Sequence, residues 1–255
     1  MHGVLPQRVV IHVHSVRTIA WASRADGESS MAERLAGLNW SWIPYTHPGV
    51  PLAHRIQVEP PSKRDVLILA NHGLVVAAED CDAAERLLEA VEQRLGGESS
   101  FGGESKDTPR IDGESLRRLA EGTSWQIAGD AEVHSLAMSG RACEIASGGT
   151  LFPDQCVYLG PGAAVLNPGD LLNEAVARYK ARYDFEPVFL LVPGRGVLTR
   201  ANMKQAAREL LLCLKRVVER IPEHAQVTYL SKRQVANLMN WDAEKYRIEM
   251  ALRSN

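Results

Sequence analysis

Several things are scarce in this sequence, and each scarcity removes a class of function. Cysteine is one: Cys81, Cys143, Cys156 and Cys213 are the only four in 255 residues. They lie far apart without C-x-x-C spacing, in a chain far longer than a disulfide scaffold, and read as reduced, mostly structural thiols. Long apolar runs are missing as well. "MHGVLPQRVV" has no apolar core of the signal-peptide kind, and no stretch approaches the ~20 residues that span a bilayer. A cytoplasmic location and no membrane partner are expected. Neither sign of charge is in excess, with 29 Lys+Arg against 31 Asp+Glu. No basic stripe interleaved with aromatics appears, so nucleic acid is not an expected partner.

What is present begins with "RVVIHVHSVRTIAWA", Arg8 to Ala22. In an extended strand Val9, Ile11 and Val13 fall on one face, and Val10, His12 and His14 on the other. Both imidazoles then point the same way. Two neutral imidazoles on one strand face can share a transition-metal ion if a further ligand closes the site. Taken alone, the pair reads first as hydrogen-bonding groups at a sheet edge, and a third ligand would reverse that reading.

Down the chain, Ser30 and Glu33 have the spacing of a capping box for a short helix that Gly37 ends. "WSWIPYTHPGVPLA" reads as loop, with three prolines and a Pro-Gly pair. The continuous apolar run Val66 to Ala70 predicts a strand covered on both faces, running out into Asn71-His72-Gly73. A helix follows over "CDAAERLLEAVEQRLGG", with Asp82 as cap, Glu85 closing the box and Gly96 as stop. Residues 96–113 are rich in Gly, Ser and charge and form the expected linker. It separates an N-terminal portion, 1–95, from a C-terminal α/β extension, 114–255. In the extension, "ESLRRLAEG", "DAEVHSLAMSGRACEIAS", "LLNEAVARYKARY", "ANMKQAARELLLCLKRVVERIP", "SKRQVANLM" and "DAEKYRIEMAL" read as helices. "CVYLGPG" and "PVFLLVPG" read as strands. No internal repeat is visible, and the alternation of strands and helices predicts an α/β protein.

His72 lies at a strand end, where site residues are commonly presented. "VVIHVHS", "PYTHPGVPLA" and "LANHGLVV" together resemble the class II aldolase/adducin family. The resemblance implies a layered α/β/α core and a divalent metal, zinc foremost, bound by His12, His14 and His72. "GGTLFPDQCVYLGPG" and "NWDAEKYR" are similar to the family's longer branch, the aldolase part of bifunctional rhamnulose-phosphate aldolase/short-chain dehydrogenase proteins. The implied chemistry is retro-aldol cleavage of a ketose 1-phosphate, with the metal stabilising the enediolate. The implied partners are a small-molecule sugar or sugar phosphate and further copies of the chain, as a homo-oligomer. Two other readings stay open: a non-catalytic, adducin-like assembly domain, and an epimerase or decarboxylase working through the same enediolate.

The family's acid/base carboxylate precedes the Met-His segment, and this sequence begins with Met1-His2. No catalytic residue is therefore assigned. The expectation is of a chain that lacks an upstream part, binds metal and shows little lyase activity. Glu28 and Glu79 are conceivable replacements, but their polar settings read as solvated surface. His47 and Tyr45 read as turn residues near the site, and His2 as a neighbour of the ligand strand. His54, His134 and His224 read as surface or helix residues. Gly194 and Gly196 read as a strand-to-helix turn, since the full G-x-G-x-x-G is missing. Trp241 and Tyr246 read as packing residues at helical spacing.

Overall fold

The period-two alternation at Val9, Ile11 and Val13 becomes a strand, β1 (Val9–Val13). The computed structural model describes residues 2–58, 64–96 and 109–241. The chain divides into two units, Met1–Ser100 with Arg220–Thr228, and Phe101–Glu219 with Tyr229–Asn255. The expected linker 96–113 lies, from 97 to 108, outside the described residues, as do the expected C-terminal helix and Tyr246. No described helix is long and apolar enough to cross a membrane.

In the first unit β1 leads into α1 (Val16–Ala22) and α2 (Gly27–Arg34), then β2 (Trp40–Ile43), α3 (Val50–Val58), β3 (Val66–Leu69), β4 (Gly73–Ala78) and α4 (Cys81–Leu95). The sheet order is β1-β4-β3-β2. β1 and β3 run antiparallel to β4, and β2 runs parallel to β3. The apolar run of β3 is covered on both faces, as its continuity predicts. Val66 and Ile68 pack with Trp21, Met31, Val91 and Leu95, whereas Leu67 and Leu69 pack with Leu52 and Ile56 of α3. β1 obeys its alternation, with Ile11 and Val13 against the first cluster and Val10 against the second. This is the layered α/β/α arrangement.

Several local expectations are corrected. "WSWI" is a strand, because parallel pairing with β3 supplies hydrogen bonds invisible in the local sequence. Residues 73–78, following N-H-G, form a second strand that folds back on β3. α2 starts at Asp26 instead of Ser30, whose hydroxyl donates to the Asp26 carboxylate at 2.8 Å. α4 is capped by Asp80, which accepts from the Ala83 N–H at 2.7 Å, and not by Asp82. Residues 220–228 complete this unit. Val227 bridges Arg24, the Ala25 N–H donates to the Gln226 carbonyl at 2.9 Å, and the Thr228 N–H donates to the Ser23 carbonyl at 2.8 Å.

The second unit contains α5 (Gly113–Ala120), β5 (Trp125–Ile127), a 3-10 turn (Glu132–His134), α6 (Ser135–Met138), α7 (Gly140–Gly148), α8 (Pro153–Leu159), β6 (Ala164–Val165), α9 (Leu172–Tyr183), β7 (Phe189–Val192), β8 (Gly196–Arg200), α10 (Gln205–Glu219) and α11 (Lys232–Met239). Its sheet order is β5-β8-β7-β6. "CVYLG" belongs to a helix, since Pro153 at the first helical position is pre-organised for α8. Gly194 and Gly196 lie in a strand-to-strand turn between β7 and β8, with Val192 opposite Gly196. "DAEVHSLAMSGRACEIAS" is divided at Ser139, whose side chain caps α7 by accepting from the Ala142 N–H.

Candidate metal centre

His12 faces Val75 across the β1–β4 ladder, and His14 follows the strand's last residue. His72 sits in the turn that joins β3 to β4, where Leu69 pairs with Gly73. The His72 N–H donates to the Leu69 carbonyl at 3.0 Å. Asn71, just before it, adopts φ 51°, a left-handed conformation that asparagine tolerates better than most residues. A turn this tight brings His72 back beside the end of β1. Gly73 permits the approach, because a Cβ there would lie 2.5 Å from the Val13 carbonyl oxygen and 3.3 Å from His14 Cα.

The three imidazoles converge. Ring centroids are separated by 5.0 Å for His12–His14, 5.1 Å for His12–His72 and 4.9 Å for His14–His72. One nitrogen from each ring falls within a common 4.8 Å of the others. His72 is buried, and His12 and His14 are half-buried. His12 Nδ1 lies 2.9 Å from the Leu74 carbonyl oxygen. A carbonyl can only accept, so this bond protonates Nδ1 and leaves the lone pair on Nε2, the arrangement usual behind a metal-ligating histidine. The residues present therefore fit a divalent ion of the kind imidazole binds. A three-imidazole set leaves coordination positions for substrate or water, as catalytic sites do.

Supporting contacts come from residues that local sequence reasoning did not single out. The Ser15 side chain accepts from the Thr18 N–H at 3.2 Å, capping α1 directly after His14. Its hydroxyl donates to Glu92 of α4, which also pairs with Arg17. The Asn71 N–H donates to the Ala22 carbonyl at 3.1 Å, and Asn71 Nδ2 donates to the Thr228 carbonyl at 2.8 Å. Ser15 after H-x-H is a legible N-cap signal. The Asn71–Thr228 bond joins residues 157 apart and leaves no local signal.

Other sequence candidates fall elsewhere. Among the described residues no carboxylate and no fourth histidine joins the cluster. Glu28 and Glu79 are exposed. His47 Nδ1 lies 2.9 Å from the Pro48 carbonyl oxygen, a contact within its own turn. His54 and His224 are exposed. His134, expected at the surface or in a helix, ends the 3-10 turn Glu132–His134 and is 3% exposed. Trp241 is half-buried directly after α11. All four cysteines are free thiols; Cys143 and Cys156 are buried, and burial pushes Cys213 up to about 11.

Comparison with known families agrees with this geometry. Residues 2–96 match the family model described as the Class II Aldolase and Adducin N-terminal domain. No curated protein matches the chain. The matched stretch, residues 2–96, contributes the H-x-H strand and the N-H-G turn, and it is this part of the chain that is similar to the class II aldolase and adducin N-terminal domain.

Proposed function

We propose that this is a class II aldolase-like, metal-dependent protein in which His12, His14 and His72 hold one divalent ion, zinc foremost, for work on a small sugar or sugar phosphate. The observation that carries the reading is the convergence of three imidazole nitrogens within 4.8 Å from two strand ends. When bound, such an ion supplies a Lewis acid for a ketose's carbonyl and neighbouring hydroxyl, and for the enediolate left when a C–C bond breaks. The chain's own residues do the positioning. The Leu74 carbonyl sets the His12 tautomer, Gly73 admits the His72 turn beside β1, and Ser15 holds the start of α1 directly after His14. Retro-aldol cleavage is the reaction that the family match supports first. The exposure of Glu28 and Glu79 favours keeping a non-catalytic, adducin-like role as the second reading.

Elemental analysis of purified protein beside His14→Ala tests the ligand set. One equivalent of metal in the wild type and a small fraction of that in the variant is expected. Loss of one ligand in three should remove several kcal/mol from a binding free energy on the order of 10 kcal/mol. Equal metal in both would overturn the assignment. Aldehyde release from a ketose 1-phosphate, with and without chelator, tests the reaction separately. Chelator-sensitive release supports cleavage, and bound metal without release favours the second reading.

A further inference from the structure

The two sheets share more than their size. Each has an edge strand antiparallel to the second member of a hairpin, and the first member of that hairpin runs parallel to a fourth strand. The hairpins turn alike, with Leu69 opposite Gly73 and Val192 opposite Gly196. Asn71 and Gly194, the middle residues of the turns, are both left-handed, at φ 51° and 72°. Their N–H groups donate to matching helices, Asn71 to the Ala22 carbonyl at 3.1 Å and Gly194 to the Ala137 carbonyl at 2.8 Å. The next residues repeat each other too, as His72 N–H donates to Leu69 O at 3.0 Å and Arg195 N–H to Val192 O at 2.9 Å. Each hairpin is followed by a helix of 15 residues, α4 or α10.

The cores coincide at the same register. In the first unit Ile43, Leu52, Ile56, Leu67, Leu69 and Val75 form one buried cluster. Carrying the hairpin correspondence along the chain lands on Leu166, Ala175, Tyr179, Leu190, Val192 and Leu198, all members of one buried cluster in the second unit. Val10 of β1 corresponds to Trp125 of β5, since they pair with Ala77 and Arg200, each two residues after the inward Val75 and Leu198 of the hairpin strands.

We infer that the second unit is a second copy of the metal-binding fold, in which the positions of His12, His14 and His72 are held by Ile127, Gly129 and Arg195. Sheet register makes the assignment. His12 pairs with Val75 and Ile127 with Leu198, two residues beyond Gly73 and Gly196 respectively. His14 and Gly129 lie two residues further along their chains. His72 and Arg195 precede the paired glycines. Ser15 has its counterpart in Asp130, whose carboxylate accepts from the Glu132 N–H at 2.9 Å. None of Ile127, Gly129 and Arg195 offers an imidazole, thiolate or carboxylate, so at these equivalent positions the second unit carries a latent site without its ligands. The inference rests on the proposed ligand positions of the first unit.

The test restores the ligands in the full chain. Ile127→His, Gly129→His and Arg195→His are combined, and cobalt(II) uptake is followed by absorption and elemental analysis. The site has room: a Cβ on Gly129 meets nothing within 4 Å, and Arg195 is exposed. The triple variant is expected to hold one more equivalent of cobalt than the wild type, and to keep that equivalent when His14→Ala is added. Gln126→His, on the other face of β5, should add none. A folded triple variant with no more cobalt than wild type would overturn the inference. If the triple variant does not fold, Ile127→His with Arg195→His, read by copper(II) uptake, carries the same criterion. Absence of cobalt in the wild type would instead count against the metal reading of the first unit, and extra uptake by the graft would still support the equivalence of the two folds.

Discussion

His134 shows how much one buried ring can reveal at the residue scale. It is buried, and both ring nitrogens are engaged. Nδ1 accepts from the Val197 N–H at 3.0 Å, so Nε2 carries the proton and donates to the Ala128 carbonyl at 3.2 Å. Burial holds its pKa below the usual imidazole range, against the bond to Ala128 and the Asp130 carboxylate, which both favour the charged form. Protonation would also set an Nδ1–H against the Val197 N–H. The unfolded chain therefore takes up this proton first on acidification. The stabilisation is complete above about pH 6.5 and declines as the pH falls below it. Urea melts between pH 7.5 and 5.5 should show the wild type losing stability from this group as the pH falls. His134→Gln can accept and donate without titrating, and should flatten the profile. Equal slopes for the two proteins would refute the account.

At the scale of elements, the β3–β4 turn is the piece that delivers the third imidazole, and it is held from two directions. Asn71 ties it to the end of α1 through the Ala22 carbonyl and to segment 220–228 through the Thr228 carbonyl. Asn71→Gly keeps the left-handed conformation available and deletes the side-chain bond to the Thr228 carbonyl. Asn71→Ala deletes the bond and adds roughly 1 kcal/mol of backbone strain. Both variants should lose metal affinity on the roughly 10–100-fold scale typical of supporting contacts around ligands, and Asn71→Ala should in addition melt at lower denaturant. Competition against a chelating dye measures the first effect and urea midpoints the second. Unchanged affinity in Asn71→Gly would mean that the amide bond does not position His72.

For the whole molecule, the family resemblance implies assembly of several copies. Val50 and Val58, at the two ends of α3, are 81% and 54% exposed. Scattered apolar exposure is ordinary in monomers, so these residues mark where a contact would form without establishing one. Light scattering at micromolar concentration is expected to return at least twice the 28.1 kDa of one chain. A mass equal to one chain would contradict self-association. Val50→Asp with Val58→Asp, at the exposed ends of α3, should lower the mass if α3 lies in the contact.

The parts of this protein legible in its amino-acid order are those that depend on local period and chemistry. Alternation put His12 and His14 on one face of β1, and an unbroken apolar run showed that β3 is covered on both sides. Helix caps were read to within a few residues. Several acids compete at the start of α4, and Asp80 is the one with the extended entry backbone and the bond to the Ala83 N–H. The strands β2, β5 and β6 were not legible, because their hydrogen bonds go to partners distant in the chain, and β4 and β8 were missed as the returning arms of the hairpins that begin with β3 and β7. The same is true of Thr228, which reaches Asn71 only after the chain returns to the first unit. Repetition was hidden for a different reason. A core position constrains burial and approximate volume more than residue identity, so Leu52 and Ile56 correspond to Ala175 and Tyr179 with no shared letter. Strand register, which exists only once the chain has folded, decides that Arg195 stands where His72 does.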